Sequence, residues 1–181
     1  MTLARSPSTA VELDFSRSID RIAHEILERF DDTSSIVLLG IPTRGVPLAE
    51  RIGNALKRIN GAVFSVGSLD VTMFRDDLRQ KPVRALLPTV IPSQGIDGAN
   101  VVMVDDVLFS GRTIRAGLDA LVEFGRPRSV CVAVLVDRGH RELPIKADFV
   151  GKNIPTHLDD QVRVRLQEID GEDEVEVQRA S

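Results

Sequence analysis

A chain of 181 residues, 43% hydrophobic and with a formal net charge of −4, can bury one sizeable core but cannot coat a nucleic acid with positive charge over its whole surface. Its single cysteine, Cys131, rules out an internal disulfide and fits a reducing compartment. No apolar stretch is long enough to span a membrane, and the first residues lack the charged-then-apolar order of a signal peptide, so the expected location is cytoplasmic, with no membrane partner.

Residues 1–11 mix Ser, Thr and Pro without a period and read as a loose arm. From Ser18 onward, Ile19, Ile22, Ala23, Ile26, Leu27 and Phe30 share one helical face, with Arg21, His24 and Glu25 pointing elsewhere. Residues 36–41 are a β-branched and aliphatic run, a buried strand. Residues 42–45, Pro-Thr-Arg-Gly, form the loop at its end. A helix follows, with Pro47 near its first turn and Leu48, Ile52, Leu56 and Ile59 on the apolar face. Residues 62–66 read as the next strand, and residues 69–73 alternate as a half-buried strand would. Residues 74–100 carry Pro82, Pro88, Pro92, Gly95 and Gly98 and no clean period; a loop this long in a compact domain is functional or mobile.

Residues 101–104, Val-Val-Met-Val, are a strand covered on both faces. Asp105 and Asp106 stand where that strand ends, and Val107, Leu108, Phe109, Ser110, Gly111, Arg112 and Thr113 follow. Ile114, Leu118, Leu121 and Val122 then mark a helix over residues 113–124, stopped by Gly125 and Pro127. Residues 130–136 are another buried strand, followed by charged residues 137–144. Residues 147–150 read as a short strand. Val162, Val164 and Leu166 alternate with polar residues; residues 170–173 turn, and Val175 and Val177 mark a partner strand. Strands that alternate with helices give an α/β fold with a parallel sheet core, in one domain over residues 1–181.

The stretch from Val101 to Thr113 carries the clearest chemistry. A helix N-terminus offers unpaired N–H groups and the positive end of a dipole to a phosphate. Gly111 allows close backbone approach, and Ser110 and Thr113 add hydroxyl donors. The carboxylates of Asp105 and Asp106 cannot bind that phosphate, but they suit a vicinal diol or a hydrated Mg²⁺. Two other phosphate loops are excluded. Gly40 and Gly45 have P-loop spacing but are followed by Val46 and Pro47, and no G-x-G-x-x-G follows a strand. A response-regulator receiver also puts an acidic pair at a strand end, but near its N-terminus and with a later lysine.

These residues resemble the phosphoribosyl pyrophosphate (PRPP) motif of type I phosphoribosyltransferases. Residues 21–25 (Arg-Ile-Ala-His-Glu), 43–45 (Thr-Arg-Gly), 70–78 (Asp-Val-Thr-Met-Phe-Arg-Asp-Asp-Leu), 135–144 (Leu-Val-Asp-Arg-Gly-His-Arg-Glu-Leu-Pro) and 151–155 (Gly-Lys-Asn-Ile-Pro) resemble the PyrR branch of that family, bifunctional pyrimidine-operon regulators and uracil phosphoribosyltransferases.

The resemblance implies a type I phosphoribosyltransferase fold: a parallel sheet flanked by helices, a small C-terminal hood, and a flexible loop over residues 74–100 that closes on PRPP. It implies the reaction of uracil with PRPP to give UMP and pyrophosphate, with Mg²⁺ held mainly by PRPP and touched by Asp105 and Asp106 through water. Residues 107–113 would hold the 5-phosphate. Thr43 and Arg44 would meet the pyrophosphate, and Arg75 would be brought to it by the loop. Asp76 and Asp77 read equally as solvated loop charges and receive no role. Arg138 and Val162 are candidates for the base. The resemblance also implies regulation by UMP or UTP through pyrimidine-operon leader mRNA, with Arg21, His24, His140, Arg141, Lys146 and Lys152 as RNA candidates. The chain offers no Trp or Tyr for base stacking, so chemistry alone supports RNA weakly. A homodimer or higher homo-oligomer is implied as well. Two other functions stay open: a nucleotide sensor without catalysis, and transfer to another base. Phe74 and Phe109 stand where the family pattern has tyrosine, and Ser110 where threonine is common.

Overall fold

The computed structural model describes residues 8–77 and 85–180. Its centre is a five-stranded sheet in the order β3-β2-β4-β5-β6. The strands are β2 (Ile36–Gly40), β3 (Ser65–Ser68), β4 (Asn100–Leu108), β5 (Ser129–Asp137) and β6 (Phe149–Asn153), all paired in parallel. Parallel strands need crossovers, and helices supply them. Helix α2 (Gly45–Asn60) links β2 to β3, and α3 (Arg112–Leu121) links β4 to β5.

The strand period of two sorts the core into two clusters. Leu38, Val102, Val104, Ala133 and Leu135 face α1 (Phe15–Arg29) and α2, where they meet Ile22, Ile26, Leu48 and Ile52. Val37, Leu39, Val101, Met103, Val132 and Val134 face the other way, onto Ile114, Ala116, Ala120 and Leu121 of α3. The sheet order runs outward from β2 in one direction and from β4 in the other. A ligand crevice is expected at that reversal, beyond the carboxyl ends of β2 and β4.

A second, three-stranded antiparallel sheet in the order β1-β8-β7 is the hood, built from β1 (Ser8–Val11), β7 (Gln161–Arg165) and β8 (Glu174–Gln178) with the short helix α4 (Gln167–Asp170). Its inward residues Val164, Leu166, Val175 and Val177 join the α1–α2 core cluster.

Several elements differ from the sequence reading. Residues 8–11 are not a loose arm, because they pair with β8 from Ser8↔Gln178 to Val11↔Val175; residues 1–7 lie outside the described residues. The strand expected over 62–66 sits at Ser65–Ser68, and the one expected over 147–150 at Phe149–Asn153. Residues 69–73 alternate in polarity but are no strand. The Asp70 carboxylate accepts the Thr72 N–H at 2.9 Å and its hydroxyl at 2.6 Å, which turns the chain into a 3₁₀ helix at Thr72–Phe74.

Helix α3 ends at Leu121, and Leu118 and Val122 of the expected stripe are 40% and 76% exposed. Its buried face keeps Ile114 and Leu121 of that stripe and is completed by Ala116, Gly117 and Ala120. The acidic pair lies on β4 rather than past its end, since Val107 and Leu108 still pair with Val136 and Asp137. The long segment 74–100 is not free throughout. Ser68 and Val90 exchange backbone hydrogen bonds at 2.9 and 2.8 Å, Asp70 accepts from Leu87, and Ile96 is fully buried. Residues 78–84 of that expected mobile loop lie outside the described residues.

Two glycines let the β2 loop fold onto β4. A Cβ on Gly45 would stand 2.3 Å from the Val104 carbonyl oxygen, and one on Gly40 would stand 2.5 Å from the Gly45 carbonyl oxygen. Gly45→Ala is therefore expected to lower the unfolding free energy by about 1–3 kcal/mol, read from the urea midpoint at unchanged slope.

Candidate active site

Adjacent residues on a strand point to opposite faces, so Asp105 and Asp106 do not share an environment. Asp105 is 8% exposed, at the inner end of the crevice, while Asp106 is half-buried. Each carboxylate accepts the next residue's N–H: Asp105 Oδ1 from Asp106 and Asp106 Oδ1 from Val107, both at 2.9 Å. Burial first, then the neighbouring charge of Asp106, push the Asp105 carboxyl well above the ordinary carboxylate range, with the Arg75 guanidinium opposing.

Beyond β4 the chain turns at Gly111, whose φ of 91° suits glycine, and enters α3. A Cβ there would also stand 3.2 Å from the Cβ of Ile145. The Ser110 hydroxyl accepts the Arg112 N–H at 3.3 Å, and the Ser110 carbonyl accepts from Glu142 and Leu143 at 3.0 and 3.2 Å. The first turn of α3 thus faces a cavity of about 540 Å³. Every residue assigned to the phosphate loop, 107–113, lines it, and so do Asp105 and Arg75; Asp106, on the opposite face of β4, does not. These residues come from the β4–α3 junction and from the start of the long loop, and the fold brings them together.

The cavity wall also contains Asp76, Asp77, Ile114 and Glu142, which the sequence reading did not assign. Arg112 donates to Glu142 at 2.6 Å and to Asp76 at 2.5 Å, and Arg115 reaches Asp76 at 3.4 Å. Arg75 forks onto Asp77 at 2.9 and 2.8 Å. Asp76 therefore docks the long loop onto α3 and leaves Arg75 close enough to Asp105 to feel its charge. The available signal was local: Asp76 and Asp77 follow Arg75 directly, and Glu142 sits in the charged segment after β5.

The loop at the end of β2 abuts the same point. Ile41 donates to the Val104 carbonyl at 2.8 Å, and the Pro42–Thr43 peptide bond is cis. Thr43 is exposed. Arg44 forks onto Asp170 of the hood, through Nε at 3.2 Å and Nη2 at 2.8 Å. Neither residue lines the cavity described above.

Arg138 stacks over the Phe109 ring, 4.1 Å from its centroid, and donates to the carbonyls of His157 and Leu158 at 2.9 and 3.2 Å. It ties the phosphate loop to the segment before the hood, with its guanidinium committed to that tie. Val162, the other base candidate, packs against the α1–α2 core cluster and does not line the cavity. Arg141 is committed too: it donates to Asp137 at 2.5 Å, to the Ile145 carbonyl at 2.8 Å and to the Phe109 carbonyl at 3.0 Å. His140 donates to the Thr156 carbonyl at 2.7 Å, and Lys146 is exposed. Arg21 reaches the Val150 and Gly151 carbonyls of β6, Lys152 reaches the Glu12 carbonyl, and His24 is exposed one turn along α1 from Arg21. The six RNA candidates thus fall in two groups, one at α1 and β6 and one on the loop after β5.

Among the described residues no group of three or more His, Cys, Asp or Glu side chains is placed to hold a metal ion. The cavity is nevertheless lined by the carboxylate residues Asp105, Asp76 and Asp77, with Asp77 forked by Arg75 and Asp76 paired with Arg112, which leaves Asp105 as the carboxylate without an arginine partner among the described residues. That donor set fits a magnesium ion carried mostly by substrate phosphates and touched by one or two carboxylates. No helix among the described residues is long and apolar enough to cross a membrane.

Comparison with known proteins follows the same lines. The family model described as phosphoribosyl transferase domain matches residues 12–168. A relative from Streptomyces coelicolor named bifunctional protein PyrR is 63% identical over 162 residues, covering 90% of this chain and 84% of its own. One of the same name from Corynebacterium efficiens is 54% identical over 180 residues, covering 95% and 94%. Among solved structures, a hypoxanthine phosphoribosyl transferase of Trypanosoma cruzi superposes with a TM-score of 0.70 at 18% identity, covering 99% of this chain and 94% of its own; at that identity the likeness concerns the fold.

The folded protein holds the Asp105 proton to higher pH than the unfolded chain does. The stability that goes with the protonated form is full below the ordinary carboxylate range and is lost as pH rises through the raised value. Asp105→Asn keeps an acceptor for the Asp106 N–H and removes the charge. Without ligand, it is expected to melt roughly 2–8 °C above the parent protein at pH 8, from about 1–2 kcal/mol of relieved charge burial. The gap should close as calorimetric scans move toward pH 4.

Proposed function

The chain belongs to the phosphoribosyl transferase domain family, and on that premise we propose that it transfers the phosphoribosyl group of PRPP to uracil and also regulates pyrimidine genes by uridine-nucleotide-dependent binding to leader mRNA. The observation that carries the enzymatic half is one cavity in which a helix N-terminus and a buried strand carboxylate meet at the reversal of sheet order. That pairing suits a sugar with a phosphate at one end and hydroxyls facing an acid.

In this reading the N–H groups of residues 110–113 and the Ser110 and Thr113 hydroxyls hold the 5-phosphate, which fixes the sugar in place. Asp105, which lines the cavity, accepts from the ribose hydroxyls, and Asp106 adds its charge from the other face of β4. The bond from ribose C1 to the pyrophosphate oxygen breaks as the bond to uracil N1 forms. Charge gathers on the leaving pyrophosphate, where Arg75 stabilises it, and the ribose gains positive character, which the two carboxylates favour. The uracil proton leaves to solvent or to a carboxylate. Magnesium, when bound with PRPP, supplies charge neutralisation to the pyrophosphate. No nucleophilic side chain is required.

Regulation uses the same pocket as a sensor, with UMP or UTP in it shifting affinity at a second surface. Lys146 and His24 are the candidates most open to a nucleic-acid backbone, and Arg21, His140 and Lys152 lie beside them with their donors partly engaged. Arg141 holds the Phe109 loop and serves the pocket first. The cytoplasm is the compartment that offers PRPP and mRNA together. A homodimer or larger assembly belongs to the same reading and is supported by the exposed apolar Leu118 and Val122 at the end of α3.

UMP formation from uracil, PRPP and Mg²⁺, with hypoxanthine and orotate as competing bases, tests the enzyme. Turnover should be uracil-specific and should fall at least about 100-fold in the Asp105→Asn/Asp106→Asn double variant, while basal leader-RNA binding persists. Loss of both activities in a folded variant would count against separate surfaces. Lys146→Ala is expected to lower the log–log salt slope of RNA binding by about 1 with UMP synthesis unchanged, whereas Arg141→Ala should impair synthesis as well. Filter binding across salt concentrations, run beside the UMP assay, separates the two.

A further inference from the structure

Two arginines tie the hood to the α2 region, and they do so unequally. Arg51, on α2, makes four hydrogen bonds at 2.6–2.8 Å to Glu168, within α4, and to Asp173, just after it. Both its edges are filled. Arg44, in the loop before α2, makes only two, to the single carboxylate of Asp170. Its side chain is 31% exposed against 19% for Arg51. Asp170 is fixed by its own turn: Oδ2 accepts the Leu166 N–H at 2.9 Å, and its N–H donates to the Leu166 carbonyl at 2.7 Å. Breaking Arg44 from Asp170 frees one long side chain and leaves the hood seated by Arg51.

The loop that carries Arg44 lies on the strand of the buried carboxylate. Gly45 packs against the Val104 carbonyl and the Asp105 Cα, which no larger residue allows. A phosphate arriving beside Asp105 is therefore close to this loop. Asp170 opposes it in two ways. It occupies the Nε–Nη2 edge, one of the two with which a guanidinium forks onto an oxyanion. It also stands as a like charge to anything negative at the other edge.

We propose that Asp170 is a positioning residue that parks Arg44 on the hood while no diphosphate is bound and gives it up to the diphosphate of the substrate. Occupancy of that subsite then unlatches the 42–44 loop from the α4 turn. The proposal rests on the phosphoribosyl-transfer reading and adds to it which ligands unlatch. A diphosphate on ribose C1 does; a nucleoside monophosphate, which has none there, does not.

Calorimetric titrations of the full chain with PRPP, inorganic pyrophosphate and UMP, each with magnesium, test this. Asp170→Asn keeps an oxygen for the Leu166 N–H; should it fail to fold, Asp170→Ser takes its place. The expected result is PRPP and pyrophosphate binding about two- to fivefold tighter in Asp170→Asn, with UMP affinity unchanged and KM for PRPP falling in parallel. Arg44→Ala should weaken both diphosphate ligands and erase the effect of the second substitution. Glu168→Gln, which removes a carboxylate from Arg51, should leave PRPP affinity alone. Equal or weaker PRPP binding in Asp170→Asn would overturn the proposal, as would the same tightening in the Arg44→Ala background. A parent protein that binds UMP but neither PRPP nor pyrophosphate would instead overturn the transfer reading beneath it.

Discussion

The burial of Asp105 on a strand continuous with the core is the constraint on which the rest of this structure turns. An ionisable group at that depth costs stability unless a ligand or a partner meets it. Nothing in the core needs it, since the residues on either side of β4 are apolar and packed. The strand must nevertheless run through it, because Val107 and Leu108 continue the ladder to β5 and carry the chain to the Gly111 turn. A carboxylate is thus set at a fixed distance along the backbone from a helix N-terminus.

Around this rigid centre the loops are held by arginines, each by a different device. Arg138 stacks on Phe109 and grips the carbonyls of residues 157 and 158. Arg141 ties Phe109 to the loop after β5. Arg112 joins the first turn of α3 to Asp76 on the long loop and to Glu142 on another. The Arg112 contacts are exposed ion pairs, which contribute little to stability singly, about 0–1 kcal/mol. Their use here is to register loops.

The parts of the fold legible in the sequence were those decided locally. The runs in β4 and β5 are apolar throughout because both faces are covered, and α1 and α2 show their stripes because large aliphatic residues make them. Helix α3 showed Ile114 and Leu121 of its buried face but was misjudged at its end, because the rest of that face is Ala116, Gly117 and Ala120, which carry little apolar signal, while Leu118 and Val122 face outward. Residues 69–73 have a strand's alternation, but one hydrogen-bonded pair, Asp70 with Thr72, turns the backbone instead. Strand β1 depends on β8 at the other end of the chain, which no window on the sequence can see. The gathering of residues 107–113 and Arg75 around one cavity was readable because a motif keeps them close in sequence or near a recognisable segment. The internal partners of Arg138, Arg141 and Arg44 are carbonyls and carboxylates from remote loops, so these side chains read as free charges until the fold was in hand.

A crystal structure of the protein with UMP bound is the measurement that bears most directly on this account. It should place the 5-phosphate within hydrogen-bond reach of the backbone N–H groups of residues 110–113 and the ribose hydroxyls on the carboxylate of Asp105. A nucleotide whose phosphate lies away from the start of α3, or whose ribose turns from Asp105, would contradict it.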